Sequence, residues 1–177
     1  MAGSNPYRSA DEILRQKAAA IVSAARALGL TIVTAESCTA GRVAATLADV
    51  PGASEAVHGG FVTYTEVAKI SLGVREDVLK RYDPVSEEVA REMARAALAR
   101  CPADISIAVT GVVGPTTNDD GDPVGLVYFS TAHRGKPTEI VKKEFGKLER
   151  DTMLFNIVEE ALGLLDRAVQ PESASVK

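Results

Sequence analysis

Thr34-Ala-Glu-Ser-Cys-Thr-Ala-Gly41 decides how this chain folds, because a strand runs into it and a helix runs out of it. Upstream, Leu30-Thr-Ile-Val-Thr34 is apolar and β-branched, the pattern of a buried strand. Downstream, residues 42–50 have helical composition and stop at Pro51-Gly52. Small hydroxyl residues therefore occupy a strand-to-helix junction, where free backbone N–H groups and the helix dipole favour anions. A hydroxyl there caps the helix, binds a phosphate, or attacks a carbonyl whose oxyanion those N–H groups hold. On position alone, a simple N-cap role for Ser37 or Thr39 is the favoured reading.

Before this junction, Ser9 and Glu12 form a capping box. Leu14, Ala18, Ile21, Ala25 and Leu28 then share one helical face, and Gly29 ends the helix. After the junction, Gly59-Gly-Phe-Val-Thr-Tyr-Thr65 reads as a second strand, followed by short helices over 66–72 and 76–82. Ser86 is expected to cap a helix whose apolar stripe is Val89, Met93 and Ala97. Asp104-Ile-Ser-Ile-Ala-Val-Thr110 reads as a third strand, and 112–123 as a polar loop long enough to suggest function. A hairpin over 124–132 and 139–145 turns at Arg134-Gly-Lys-Pro137, and a last helix carries Leu154, Ile157, Val158, Ala161 and Leu165. The alternation predicts a single α/β layered domain, a mixed β-sheet flanked by helices, over 9–169. Residues 1–8 and 170–177 are expected to be disordered.

With 177 residues and 46% hydrophobic content, one real core is expected. Aromatics reach only 5% and Trp is absent, so that core is expected to pack small aliphatic side chains. The net charge of -4, with no basic cluster, argues against a nucleic-acid partner. A small anionic substrate stays open, because one or two local Arg or Lys residues are enough for it. Cys38 and Cys101 lack metal-ligand spacing and predict reduced thiols. No apolar run reaches membrane-spanning length and no signal-peptide pattern opens the chain, so a cytoplasmic protein without a membrane partner is expected.

Catalytic residue types are scarce. His58 and His133 are the whole histidine supply and read as surface residues; nothing local supports a Cys38–His58 pair, and no metal site is expected. That leaves Lys69 as a candidate base, five residues after Tyr64. A lysine with a pKa near about 10.4 is a poor base at neutral pH unless burial or a helix N-terminus lowers it. So tuned, it takes a proton from Ser37, with Tyr64 assisting. Taken alone, a solvated lysine on an amphipathic helix is the reading these residues favour. Val109-Thr-Gly-Val-Val-Gly-Pro115 has the composition of a pocket-lining turn at a sheet's carboxyl edge, or of a plain structural turn. Arg150, opening the last helix, is a candidate phosphate partner or a solvated arginine.

Taken together these stretches are more specific. The chain resembles the CinA C-terminal domain family, the nicotinamide-nucleotide amidohydrolases, over roughly residues 11–168. The resemblance rests on Thr34-Ala-Glu-Ser-Cys-Thr-Ala-Gly41, Gly60-Phe-Val-Thr-Tyr-Thr65 with Ala68-Lys69, Leu72-Gly-Val74, Val85-Ser-Glu-Glu-Val89, Ala108-Val-Thr-Gly111 and Pro123-Val-Gly-Leu-Val127. It implies hydrolysis of nicotinamide mononucleotide to nicotinic acid mononucleotide and ammonia, with no metal or organic cofactor. By position it makes Ser37 the nucleophile, Lys69 the general base and Tyr64 a hydrogen-bonding assistant. It also implies that Glu36, Thr39, Gly41, Thr110, Gly111 and Arg150 contact the nucleotide substrate. A homo-oligomer is expected from the Ala-rich helices.

Three stretches depart from the family pattern. Ala40 stands where Glu-Ser-Cys-Thr-Gly-Gly has its first Gly. The Gly-Pro-Gly-Gly-Gly-Ser loop and its Glu-Lys-Pro continuation appear here as Gly114-Pro-Thr-Thr-Asn-Asp-Asp-Gly-Asp-Pro123, with added acidic groups. The Gly-Asp-Arg element has become Gly146-Lys-Leu-Glu-Arg150. Three functions follow as alternatives: a nicotinamide mononucleotide amidohydrolase, an amidohydrolase for a different small amide, or a nucleotide-binding module of the same fold without turnover.

Overall fold

A computed structural model describes residues 9–170. Its elements run α1 (Ala10–Leu28), β1 (Ile32–Glu36), α2 (Arg42–Ala48), α3 (Ala53–Ala56), β2 (Val57–Val62), α4 (Glu66–Leu72), α5 (Glu76–Tyr82) and α6 (Glu87–Arg100). Then come β3 (Ile105–Gly111), β4 (Leu126–His133), β5 (Glu139–Glu144) and α7 (Arg150–Val169). The five strands form one mixed sheet in the order β2-β1-β3-β4-β5. β2, β1 and β3 are parallel, while β4 and β5 close the sheet as antiparallel neighbours. The expected layered α/β domain is what the chain forms. The expected disorder of 1–8 and 171–177 concerns residues outside the described ones; Gln170 is described and donates its N–H to Arg167 O at 3.3 Å.

Side-chain alternation splits the core into two. Ile32, Ile105, Ile107, Val109, Val127 and Phe129 pack under α1, α2 and α7 on one face of the sheet. Val33, Ala35, Ala108 and Ala132 face α4, α5 and α6 on the other. β1 is buried along its whole length because helices cover both faces. The capping signals produce real caps: Ser9 accepts from Glu12 N and Ser86 from Val89 N, and Gly29 closes α1 at φ 65°. Leu28 is an exception, nearly half exposed instead of lying on the buried face of α1.

Boundaries moved where tertiary pairing extends or shortens a strand. β1 begins two residues later than expected and continues through Glu36, because β2 and β3 pair with it to that point. β2 ends at Val62, so Tyr64 lies in the link to α4 and not at a strand end. Thr65 caps α4 by accepting from Ala68 N. The helix after the junction stops at Ala48, and a further short helix, α3, follows Gly52.

This connectivity builds the crevice. β1 exits into α2 on one face, and β2 exits into α4 on the other. Neighbouring parallel strands whose connections diverge in this way leave an opening at their carboxyl ends, where ligands of α/β sheets characteristically bind.

Candidate functional site

The turn after β1 is held by Glu36. Its side chain is fully buried, and its carboxylate accepts from Gly41 N (3.0 Å), Val43 N (3.1 Å), Ala44 N (2.8 Å) and Thr34 Oγ1 (2.9 Å). A carboxylate beneath the first turn of a helix is favoured by the free N–H groups there. This leaves α2 without a hydroxyl cap: its N-cap is Gly41, at φ 92°, with no side-chain bond. Neither Ser37 nor Thr39 caps the helix.

Two overlapping turns follow, with Ala40 N donating to Ser37 O and Arg42 N donating to Thr39 O, both near 3 Å. Ser37 N is tied to Val109 O at 2.9 Å, which sets the turn against β3. Across residues 37–44, only the N–H groups of Cys38 and Thr39 lack a carbonyl or carboxylate partner among the described residues. Both face the Cys38 sulfur. The N–H donors at the start of α2, which the junction offers to a capping hydroxyl, a phosphate or an oxyanion, already belong to Glu36.

Ala40 takes φ 51°, a left-handed conformation that an L side chain enters at a cost of about 1–2 kcal/mol. Its methyl is exposed and does not narrow the site. Ala40→Gly is therefore expected to raise stability by up to about 1 kcal/mol, the relief being partly offset by the extra freedom of glycine in the unfolded chain. Urea denaturation measures this, and a clear fall in midpoint would contradict the assignment.

Ser37 and Cys38 open onto a cleft of about 400 Å³ at the carboxyl ends of β1, β2 and β3. Tyr64, Glu66 and Lys69 form one wall, Gly111–Asp120 another, and Arg150 closes it from α7. Arg150 donates to Gly114 O at 3.3 Å, tying the loop to the helix. A wider groove of about 730 Å³, between the first turn of α1 and the end of α2, holds none of the candidate residues.

Lys69 is the unusual group. It is only 3% exposed, and among the described residues its ammonium has no hydrogen bond or ion pair. Burial pushes its pKa below the ordinary lysine value, and Cys38 and Glu66 oppose this by smaller amounts. The cause is desolvation; Lys69 lies in the last turn of α4, not at its N-terminus. Burial also pushes the Cys38 thiol up to about 12, so it is protonated and a poor nucleophile near neutral pH. Ser37 is 7% exposed, while Tyr64 is 59% exposed and stands on the rim.

Ser37, Lys69, Tyr64, Gly111 and Arg150 thus share one cleft. Glu36, Thr39, Gly41 and Thr110 are not on its wall. Glu36 and Gly41 are bonded to each other, Thr110 Oγ1 donates to Pro84 O at 2.8 Å, and Thr39 is fully buried with no partner for its Oγ1. These four lie in the turns behind the cleft. His58 falls at the register irregularity of β2, between the Val57–Ile32 and Gly59–Val33 pairs at the start of β1, on the order of 13 Å from the Ser37 turn at strand spacing. His133 pairs with Ile105, at that same far edge. Cys38, Glu66, Asp119 and Asp120 were not singled out from sequence as wall residues. Their adjacency to Ser37, to Lys69 or within the long loop was the available signal. No group of three or more His, Cys, Asp or Glu is placed to hold a metal among the described residues, and no described helix is long and apolar enough to cross a membrane.

Comparison with known proteins agrees with this architecture. The family model described as CinA C-terminal domain matches residues 14–169. A putative competence-damage inducible protein of Symbiobacterium thermophilum is 46% identical over 131 residues, 73% of this chain and 30% of its own length. A CinA-like protein of Akkermansia muciniphila is 45% identical over 77% of this chain and 33% of its own length. The chain thus spans about a third of the curated relatives it matches. Among solved structures, competence/damage inducible protein CihA from Agrobacterium tumefaciens superposes with TM-score 0.86 at 34% identity, covering 94% of this chain and all of that one. A CinA superfamily protein from Escherichia coli gives 0.83 at 36% identity, covering 93% and 99%. The motif stretches, the sheet order and these matches converge: the chain belongs to the CinA C-terminal domain family.

Proposed function

We propose that this chain is a Ser/Lys amidohydrolase acting in the cytoplasm on the carboxamide of a pyridine nucleotide. Nicotinamide mononucleotide is the substrate that the family resemblance implies. The observation carrying this reading is a buried, unpaired Lys69 in the same cleft as Ser37. An unpaired ammonium is costly to bury, so the site favours the neutral amine, which is the form that accepts a proton.

The reaction proceeds by two acyl transfers. Ser37 Oγ attacks the amide carbon while Lys69 Nζ takes the hydroxyl proton. The N–H groups of Cys38 and Thr39 supply donors for the oxyanion, the first of them immediately following the nucleophile. Lys69 returns the proton to the leaving nitrogen, ammonia departs, and an ester to Ser37 remains. Water then attacks that ester, giving its proton to Lys69, and the carboxylic acid is released as Ser37 Oγ is reprotonated. Tyr64, on the rim, contacts the substrate or the leaving group. Arg150 offers one guanidinium to an anionic part of the substrate.

Ammonia release from nicotinamide mononucleotide by the purified chain tests this. Release that disappears in Ser37→Ala supports it. Binding of the nucleotide by a folded wild type that releases nothing would make the chain a binding module instead. The acidic 116–122 segment favours a second reading, in which the reaction is kept and the substrate changed.

A further inference from the structure

We infer that the cleft selects a cationic carboxamide lacking a terminal phosphate, because Asp119, Asp120 and Glu66 set a wall of carboxylates around the opening to Ser37 and Lys69. This rests on the amidohydrolase reading and names the substrate class for the same site.

The loop is a built structure. Asn118 Nδ2 donates to Asp122 Oδ2 at 2.8 Å and more weakly to Asp120 Oδ2 at 3.4 Å, and Asn118 Oδ1 accepts from Asp122 N at 2.8 Å. Gly121, at φ 84°, donates its N–H to Asn118 O at 3.1 Å and completes the turn. Asp122 is turned back onto Asn118, while Asp119 and Asp120 line the cleft. Glu66, at the start of α4, brings a third carboxylate to the same opening.

Against these three stand two cationic groups, Lys69 and Arg150. Burial loosens the hold of Lys69 on its proton, and Arg150 already has one nitrogen on Gly114 O. The carboxylates feel one another as well. Burial in the turn, then Asp83, Asp122, Glu66 and Asp119, push the Asp120 carboxyl above its ordinary value. A dianionic phosphate entering this opening meets the Arg150 guanidinium and the recessed Lys69 amine against at least three carboxylates. A ring bearing a fixed positive charge beside its carboxamide meets the opposite field. The buried, unpartnered Lys69 marks where the reacting amide sits, so the acidic wall is addressed to the rest of the ligand.

Nicotinamide mononucleotide and nicotinamide riboside, the same pyridinium carboxamide without its phosphate, are the probes. In low salt the wild-type kcat/KM is expected to favour the riboside by about ten-fold, narrowing as added salt screens the wall. Combined Asp119→Asn and Asp120→Asn changes should move that ratio about ten-fold toward the nucleotide. Asp166→Asn, which removes a single carboxylate on the exposed face of α7, should leave the ratio where it was. A wild type that prefers the nucleotide, or a ratio unmoved in the double variant, overturns the inference while leaving the amidohydrolase reading standing. If neither probe releases ammonia, that reading falls instead. Calorimetric titration of both probes then decides the inference: tighter riboside binding supports it, and equal, reversed or absent binding overturns it.

Discussion

Ser37→Ala and Lys69→Met are each expected to lower ammonia release by about 10³-fold or more, since each removes one half of a nucleophile–base pair that works as a unit. The two should differ in every other respect. Ser37→Ala removes a small hydroxyl at a nearly buried position and should leave stability within about 1 kcal/mol of wild type. Lys69→Met replaces a buried, unpaired amine by an apolar side chain of similar length, and should raise the melting temperature as activity is lost.

The pH dependence carries the sign. In the unfolded chain Lys69 holds its proton up to about pH 10.4, whereas in the folded chain burial makes it release the proton at lower pH. Between those two values the unfolded state binds more protons, so stability rises with pH, and below the folded pKa the full penalty for the buried charge remains. Lys69→Met should abolish that slope. For catalysis the base must be neutral, so wild-type kcat/KM should climb with pH through a pKa below 10.5 and then level. A climb centred at or above the ordinary lysine value, or a Lys69→Met chain retaining more than about a tenth of wild-type activity, would remove Lys69 as the base.

Glu36→Ala is expected to destabilise the fold by about 3–6 kcal/mol, since three backbone N–H groups and the Thr34 hydroxyl lose their acceptor in a fully buried place. For a chain of this size that lowers the melting temperature by about 10 °C or more. Activity should fall with it, because the same carboxylate holds the turn on which Ser37 sits. Glu36→Gln should lie between. Its carbonyl oxygen can serve Gly41 and Val43 while its amide donates to Thr34 Oγ1, but that amide then opposes the N–H of Ala44. Thermal denaturation of the two variants checks the order, and a Glu36→Ala chain within about 1 kcal/mol of wild type would deny the carboxylate this role.

How much of this was legible beforehand follows from which interactions are local. The Ser9 and Ser86 caps, the Gly29 terminus, the short helix over 66–72 and the apolar face of α7 all appear where the sequence places them. Helix periodicity and capping involve partners three or four residues apart, so they are written in adjacent residues. Strand ends were read less well: Thr34, Ala35 and Glu36 belong to β1 because β2 and β3 pair with them, and pairing partners lie far along the chain. Glu36 was expected to touch substrate, and its hold on the turn was missed for the same kind of reason. Its bonds reach forward five to eight residues around a turn whose shape the sequence does not announce.

By itself, then, the sequence determined the succession of helices and strands, their apolar faces, and the Ser37, Tyr64 and Lys69 residues that the family pattern retains. Only the tertiary structure decided that β1 lies between β2 and β3, so that Ser37, Lys69 and the 112–120 loop meet at one carboxyl edge. It also decided that Lys69 is buried without a partner and that Glu36 holds the helix start in place of a hydroxyl. The reason is that periodicity records whether a residue faces a core, whereas solvation and charge depend on every element packed around it, most of them distant in sequence.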